Sequence, residues 1–233
     1  MPCYEPTKGR TKEIQELLAP VLQHVDGTIG RLAQKDFKAD PVVGAKYSRV
    51  TSIVSSAYKR HGGILERALV AAMTAVPHLQ VWSEPQFQVS PAAECLADAD
   101  QTALGADLPY VGIGSPRALQ IDLLVYNRNA KRLGAYESKR GFGYHDSGKK
   151  RSMLRDLRCV HMLLRSYRVQ QHGLEIQEAA AHMIFYYGQC SVGAPWALTR
   201  DELDEHFEAP IVDVVEQVNS YFGEKLNELL AAA

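Results

Sequence analysis

The sequence predicts an α/β protein, a mixed central sheet flanked by helices, with additional N- and C-terminal helices. Three observations predict it. The run ILERALVAAMTAV, Ile64 to Val76, sets Leu65, Ala68, Leu69, Ala72, Met73 and Val76 on one helical stripe. The stretch QIDLLVYNRNAKRLGAYESKRG, residues 120–141, reads as two strands around a tight turn. Residues 149–171 return to a helical period through Met153, Leu157, Val160, Leu164 and Tyr167, and the apolar strand AAAHMIFYYGQ follows. Alternation of this kind packs helices on a sheet.

Each element can be justified in order. Residues 11–36 carry Ile14, Leu17, Leu18, Leu22 and Val25 at helical spacing, with Pro20 as a kink or break. Residues 37–56 show no clear period. The chain therefore divides into an N-terminal helical extension, 1–56, and a core, 57–233. Pro77 closes the Ile64 helix. LQVWSEPQFQV reads as two short strands around Pro85. Residues 90–117, rich in Pro, Gly, Ala and Asp, form a long loop or insertion, in which GIGSP at 112–116 is a turn. GFGYHDSGKK is a Gly-rich connection holding His145 and Asp146. It lacks the GxxxxGK[ST] phosphate loop. Gly173 ends the second helix, Thr199 with Glu202 makes a capping box, and 211–230 is an amphipathic helix through Ile211, Val214, Val215, Val218, Phe222, Leu226 and Leu229.

Composition narrows the function classes. The 233 residues, 46% hydrophobic, are enough for one full core. No apolar run approaches the roughly 20 residues of a membrane span, and MPCYEPTKGRTKEIQ lacks the apolar stretch of a secretory signal. A soluble, cytoplasmic protein is expected. Cys3, Cys95, Cys159 and Cys190 form no CxxC pair and read as reduced thiols. The net charge of −1 excludes a polycation. Basic residues nonetheless dominate 31–60 and 139–168, while acids collect at 94–107 and after Asp201, so a basic face on a neutral protein is expected.

The charges of the hairpin carry the chemistry. With Asn127–Ala130 as the turn, Tyr126 pairs with Lys131, Asp122 faces Ala135, and Glu137 lies one diagonal step along on the same side. Diagonal cross-strand neighbours are about 7–8 Å apart, a gap one divalent ion can bridge. Lys139 joins that face by the two-residue alternation of strands. Leu119, Ile121, Leu123 and Val125 make the opposite, core face. Hard cations such as Mg²⁺ prefer carboxylate oxygens, and a metal-bound water loses its proton more easily. The ordinary structural alternative is a charged hairpin edge with a solvent-facing Glu–Lys pair.

The ID at Ile121–Asp122 and the ESK at Glu137–Lys139 sit in the order helix, three strands, helix, strand, from about Ile64 to Gly188. In this the chain resembles the PD-(D/E)xK nuclease superfamily, whose core is restriction-endonuclease-like. Ile121 stands where the motif's name has Pro, a position that varies within the superfamily. The resemblance implies that Asp122 and Glu137 are metal ligands, with the Ser138 carbonyl as a third. It makes Lys139 catalytic and matches Glu66 in GGILERAL to the further acid many members carry on the first core helix. It implies Mg²⁺ as cofactor, with Mn²⁺ able to substitute, and double-stranded DNA as partner. Arg140, Lys149, Lys150, Arg151, Arg155 and Arg158 become candidate phosphate contacts, although an arginine stripe on a helix, Arg165 included, is ordinarily a solvated face. Two-strand cleavage by such a fold commonly takes two copies, so a homodimer is expected. The expected activity is endonucleolytic hydrolysis of DNA, first as a type II restriction endonuclease. A structure-directed repair, phage-defence or mobile-element nuclease is the alternative, and a non-catalytic nucleic-acid-binding protein of the same fold is another.

Overall fold

The computed structural model describes residues 8–42, 44–98, 105–110, 117–173 and 175–232. Cys3, the GIGSP turn and parts of the 90–117 segment lie outside them. The chain forms two compact units, one from residues 1–75 and 209–233, the other from residues 76–208. No helix among the described residues is long and apolar enough to cross a membrane.

The first unit is helical. It holds α1 (Lys8–Gln34), α2 (Gly44–Thr74) and α6 (Ile211–Ala231). α1 runs through Pro20 without a break, burying Leu18, Val21, Val25 and Leu32. α2 begins far upstream of Ile64 and continues across residues 56 and 57, so the chain does not divide there. In the polar N-terminal half of α2 the hydroxyls find partners on the preceding turn. Ser48 Oγ donates to the Gly44 carbonyl at 2.7 Å, and Thr51 Oγ1 to the Tyr47 carbonyl at 2.8 Å. Ile53, Ala57, Ile64, Leu65, Ala68 and Leu69 are buried along its inner face. α6 closes the unit with Val214, Val215, Val218 and Phe222, and the buried His61 reaches Asn219 Oδ1 through Nε2 at 3.0 Å.

The second unit is a five-stranded mixed sheet in the order β1 (Leu79–Val89), β2 (Arg117–Asn127), β3 (Arg132–Lys139), β4 (Glu178–Phe185) and β5 (Ala197–Thr199). The first three strands are antiparallel, and β4 and β5 add in parallel. The parallel β3–β4 pair requires a crossover, and α4 (Ser147–His172) supplies it. The expected stripe Met153, Leu157, Val160, Leu164 and Tyr167 is buried against the sheet.

Two register irregularities shape β1 and β2. β1 is one strand, not two. Between the Glu84–Ile121 and Phe87–Leu119 pairs it carries one extra residue beside Pro85. A proline is tolerated there because β1 is an edge strand and the bulge needs no ladder donor. Between Trp82–Leu124 and Glu84–Ile121 the extra residue is on β2, at 122–123. The alternation along β2 therefore resets. Leu119 and Ile121 share the α4-facing core with Leu124 and Tyr126, not with Leu123 and Val125 as a regular strand would require.

The 90–117 segment is not a plain loop. It contains α3 (Pro91–Asp98). Ser90 Oγ accepts from the Ala93 N–H at 3.2 Å, Pro91 opens the helix, and Ala93 and Ala97 are buried. Further along, Leu108 N–H donates to the Met162 carbonyl at 2.8 Å. α4 is thus covered beside the sheet as well as beneath it, and Cys159, Met162 and Leu163 are fully buried too. β5 leads into α5 (Arg200–Phe207), capped as expected, with the Thr199 N–H donating to Glu202 Oε2 at 2.7 Å.

Candidate active site

The β2–β3 turn lies one residue further along the chain than the four-residue turn 127–130 expected from the sequence. Asn127 pairs with Arg132, and Leu124 with Ala135. Asn127 Oδ1 accepts from the Asn129 and Ala130 N–H groups at 2.9 and 3.1 Å, and Lys131 takes a left-handed φ of 49°. The loop is therefore residues 128–131. The shift is even, so the face of every side chain on β3 is as expected. The last ladder pair is Leu123–Tyr136, and Asp122 lies just beyond it, in the irregular stretch of β2 at 122–123.

Both carboxylates line a cavity of about 380 Å³ between the sheet and α4. Its walls include Ile121 and Ala135 from the hairpin, Leu157 and Val160 from α4, and Ala181 from β4. Gln120 Nε2 donates to Asp122 Oδ1 at 2.7 Å. Lys139 Nζ donates to Glu137 Oε1 and forms an ion pair with it. The two acids thus line one cavity, and the amine is paired with one of them.

Sequence reasoning missed two members of this environment. Asp156, on α4, also lines the cavity. Arg117 holds it, with Nη2 2.7 Å from Asp156 Oδ1 and Nε 2.8 Å from Glu94 Oε1. These partners outweigh burial and keep the Arg117 guanidinium firmly protonated. An acid between Arg155 and Arg158 was the available signal. Among the described residues, no three His, Cys, Asp or Glu side chains converge as a metal-binding group. The carboxylates that line the cavity are those of Asp122, Glu137 and Asp156. Glu66 lies on α2 in the helical unit, where it lines a groove with Leu17, Pro20, Val21 and Arg67.

The basic surface is narrower than the sequence suggests. Arg155 pairs with Asp98 at 3.1 Å and with Glu94 at 3.8 Å. Arg158 Nη1 donates to the Ala97 carbonyl at 3.0 Å, and Arg165 pairs with Asp107 at 3.4 Å. Three of the four arginines in the stripe, Arg155, Arg158 and Arg165, are therefore engaged by neighbouring segments. They fasten α3 and the 105–110 segment to α4. Lys149 and Arg151 are exposed at the start of α4, and Lys150 lies over the Tyr144 ring at 5.3 Å. Arg140 stands over the Phe142 and Tyr187 rings at 5.8 and 5.5 Å. His145 is tied to Ser191, its N–H donating to Oγ at 3.0 Å and its Nδ1 lying 2.9 Å from the same atom.

On the opposite face of β3, Tyr136, His182, His206 and Phe207 pack as one ring cluster. Burial raises the Tyr136 phenol well above its usual range. Burial, then the Arg132 and His182 charges, lowers His206 to about 3, and burial also lowers His182.

In comparisons with protein-family models, with curated proteins and with solved structures, nothing matches this chain.

Proposed function

We propose that this chain is a Mg²⁺-dependent endodeoxyribonuclease of the restriction-endonuclease-like class. One observation carries the reading: Asp122 and Glu137 line one cavity beneath α4, with Lys139 ion-paired to Glu137. The element order agrees with it. A helix precedes three antiparallel strands, with α3 interposed, and α4 crosses over to a parallel β4.

The residues present suit Mg²⁺. Their donors are hard oxygens, and Mg²⁺ characteristically takes one or two carboxylates and completes its shell with water and phosphate. Asp122, Glu137 and the Ser138 carbonyl would hold the ion, and Mn²⁺ has the same donor preference. Bound there, the ion would supply charge neutralisation for a phosphate and a more acidic water. Gln120 fixes the rotamer of Asp122 through its 2.7 Å hydrogen bond. Lys139, already facing Glu137, brings a positive charge to the place where negative charge develops on phosphorus oxygens. Arg117 neutralises Asp156 and so spares the cavity a third uncompensated carboxylate.

Supercoiled plasmid is the test. Nicking or linearisation with Mg²⁺ or Mn²⁺ and none in EDTA is expected. Full activity in EDTA, or no cleavage with either ion, overturns the proposal. Within the class, a type II restriction endonuclease acting as a homodimer gives discrete bands from a long DNA. A structure-directed nuclease gives none, and the exposed Phe142 and Tyr144 favour that second reading.

A further inference from the structure

The segment after the Lys139 strand displays aromatic rings on a fixed backbone. The main chain of 139–141 is held by the residues after β4: Tyr186 N–H donates to the Lys139 carbonyl at 3.0 Å, Tyr187 N–H to the Arg140 carbonyl at 2.7 Å, and Gln189 N–H to the Gly141 carbonyl at 2.8 Å. Gly141 has a φ of 66°, and a Cβ there would lie 2.8 Å from Phe185 Cβ, so this close approach requires glycine. The Ser191 hydroxyl anchors His145 at the far end. Between these anchors Phe142 is 69% exposed and Tyr144 72%, with Tyr187 beside them at 38%. Phe142 and Tyr187 meet edge to face, ring centroids 6.2 Å apart. Large apolar rings held this far into solvent on an anchored backbone lose hydrophobic free energy unless something covers them.

The cations nearby identify what covers them. Arg140 lies over Phe142 and Tyr187, and Lys150 over Tyr144. Lys139, Arg140, Phe142 and His145 line a shallow hollow of about 230 Å³. Flat rings alternating with positive charges match a chain of bases joined by phosphates. Bases can reach the rings only when unpaired, since in a duplex their faces are already stacked. A protein or lipid partner would account for the rings but not for a cation beside each of them.

We infer that Phe142, Tyr144 and Tyr187, with Arg140 and Lys150, form a stacking platform for unpaired nucleotides beside Lys139. The platform deepens the nuclease reading and rests on it for one point, that the strand it receives leads to Asp122 and Glu137. The substrate class is then DNA with a single-stranded region, such as a flap, bubble or overhang.

The test uses the full chain in EDTA and fluorescence anisotropy, with a labelled oligothymidylate of about 20 nucleotides and a duplex of equal length. Phe142→Ala and Tyr144→Ala are each expected to weaken oligothymidylate binding at least about five-fold, the low end of one base–aromatic stack. Duplex binding is expected to stay within about two-fold, because phosphate contacts carry it. Phe142→Trp restores the oligothymidylate affinity and Phe142→Leu does not. Equal loss on both ligands, no loss on either, or no oligothymidylate binding by the wild type overturns the platform. Plasmid cleavage with unaltered oligothymidylate binding in the variants sinks the platform alone. Ring-dependent oligothymidylate binding without metal-dependent cleavage leaves the platform standing and sinks the nuclease alone.

Discussion

The Tyr136 hydroxyl lies 2.7 Å from His206 Nε2, on the sheet face opposite Asp122 and Glu137. Arg132 donates to the His206 carbonyl, which ties α5 to the hairpin at the same point. The site's strand is thus secured from behind by a neutral histidine, and that makes it sensitive to acid.

His206 titrates at about 3 in the fold and near 6.5 unfolded. Between those values the unfolded chain binds the extra proton, so stability falls as pH drops from about 6.5 towards 3. His182 is lowered too and adds to the loss in the same direction. By pH 5, His206 alone should cost about 2 kcal/mol. Urea midpoints at pH 7 and pH 5 measure this. His206→Gln keeps a partner for Tyr136 without titrating, so its two midpoints should lie closer together than those of the wild type. Equal spacing in both proteins would show that His206 is not the group responsible.

Replacement of the hairpin charges separates chemistry from binding. Asp122→Asn, Glu137→Ala and Lys139→Ala should each lower plasmid cleavage at least about 100-fold, the scale on which losing a charge-stabilising group acts. Gln120→Ala should cost less, about ten-fold, because it only orients Asp122. All four should retain DNA binding within a few-fold in an anisotropy titration. Cleavage at the wild-type rate by the Glu137 or Lys139 variant removes the site assignment.

Much of this site was legible in the sequence because strand alternation is insensitive to an even shift. Glu137 and Lys139 share a face whether the pairs run Tyr126–Lys131 or, as observed, Tyr126–Leu133, and Asp122 reaches the same cavity as Glu137 despite the irregularity at 122–123. The position of the turn was not read, although Asn127 offered a signal: its Oδ1 accepts from the Asn129 and Ala130 N–H groups, which makes 128–131 the loop. The bulge at 122–123 had no local signature, since it depends on how β1 crosses β2. α3 did have one, Ser90 then Pro91 with Glu94 in the first turn, lost in a segment otherwise rich in loop residues. Missing α3 hid the partners of the arginine stripe. In the helical unit, α2 reads as irregular over 44–56 because its Ser and Thr satisfy themselves on the preceding turn, and period alone does not report that.

Gly141 sets the geometry of the segment after Lys139, and a side chain there should be costly. Gly141→Ala forces a left-handed φ on a non-glycine residue and drives Cβ to 2.8 Å from Phe185 Cβ. The combined cost should be about 2–3 kcal/mol in denaturant unfolding. Gly143→Ala, where nothing lies within 4 Å, should change stability by well under 1 kcal/mol. Similar midpoints for the two variants would mean that the 139–141 backbone is not held as its hydrogen bonds indicate.

The basic residues of α4 should sort into two groups by salt dependence. Lys149 and Arg151 are exposed at the helix start, and each phosphate they contact should contribute about one unit to the slope of log affinity against log salt. Lys149→Ala and Arg151→Ala should therefore flatten that slope on a short duplex and leave the denaturation midpoint unchanged. Arg155 and Arg158 spend their charge on Asp98, Glu94 and the Ala97 carbonyl. Arg155→Ala and Arg158→Ala should lower stability by about 1 kcal/mol each, through loosened α3 packing, with the salt slope intact. Titrations at several salt concentrations, run beside urea unfolding of the same four variants, measure both quantities. A flattened slope for Arg158→Ala at unchanged stability would move that residue from the α3 interface to the nucleic-acid surface.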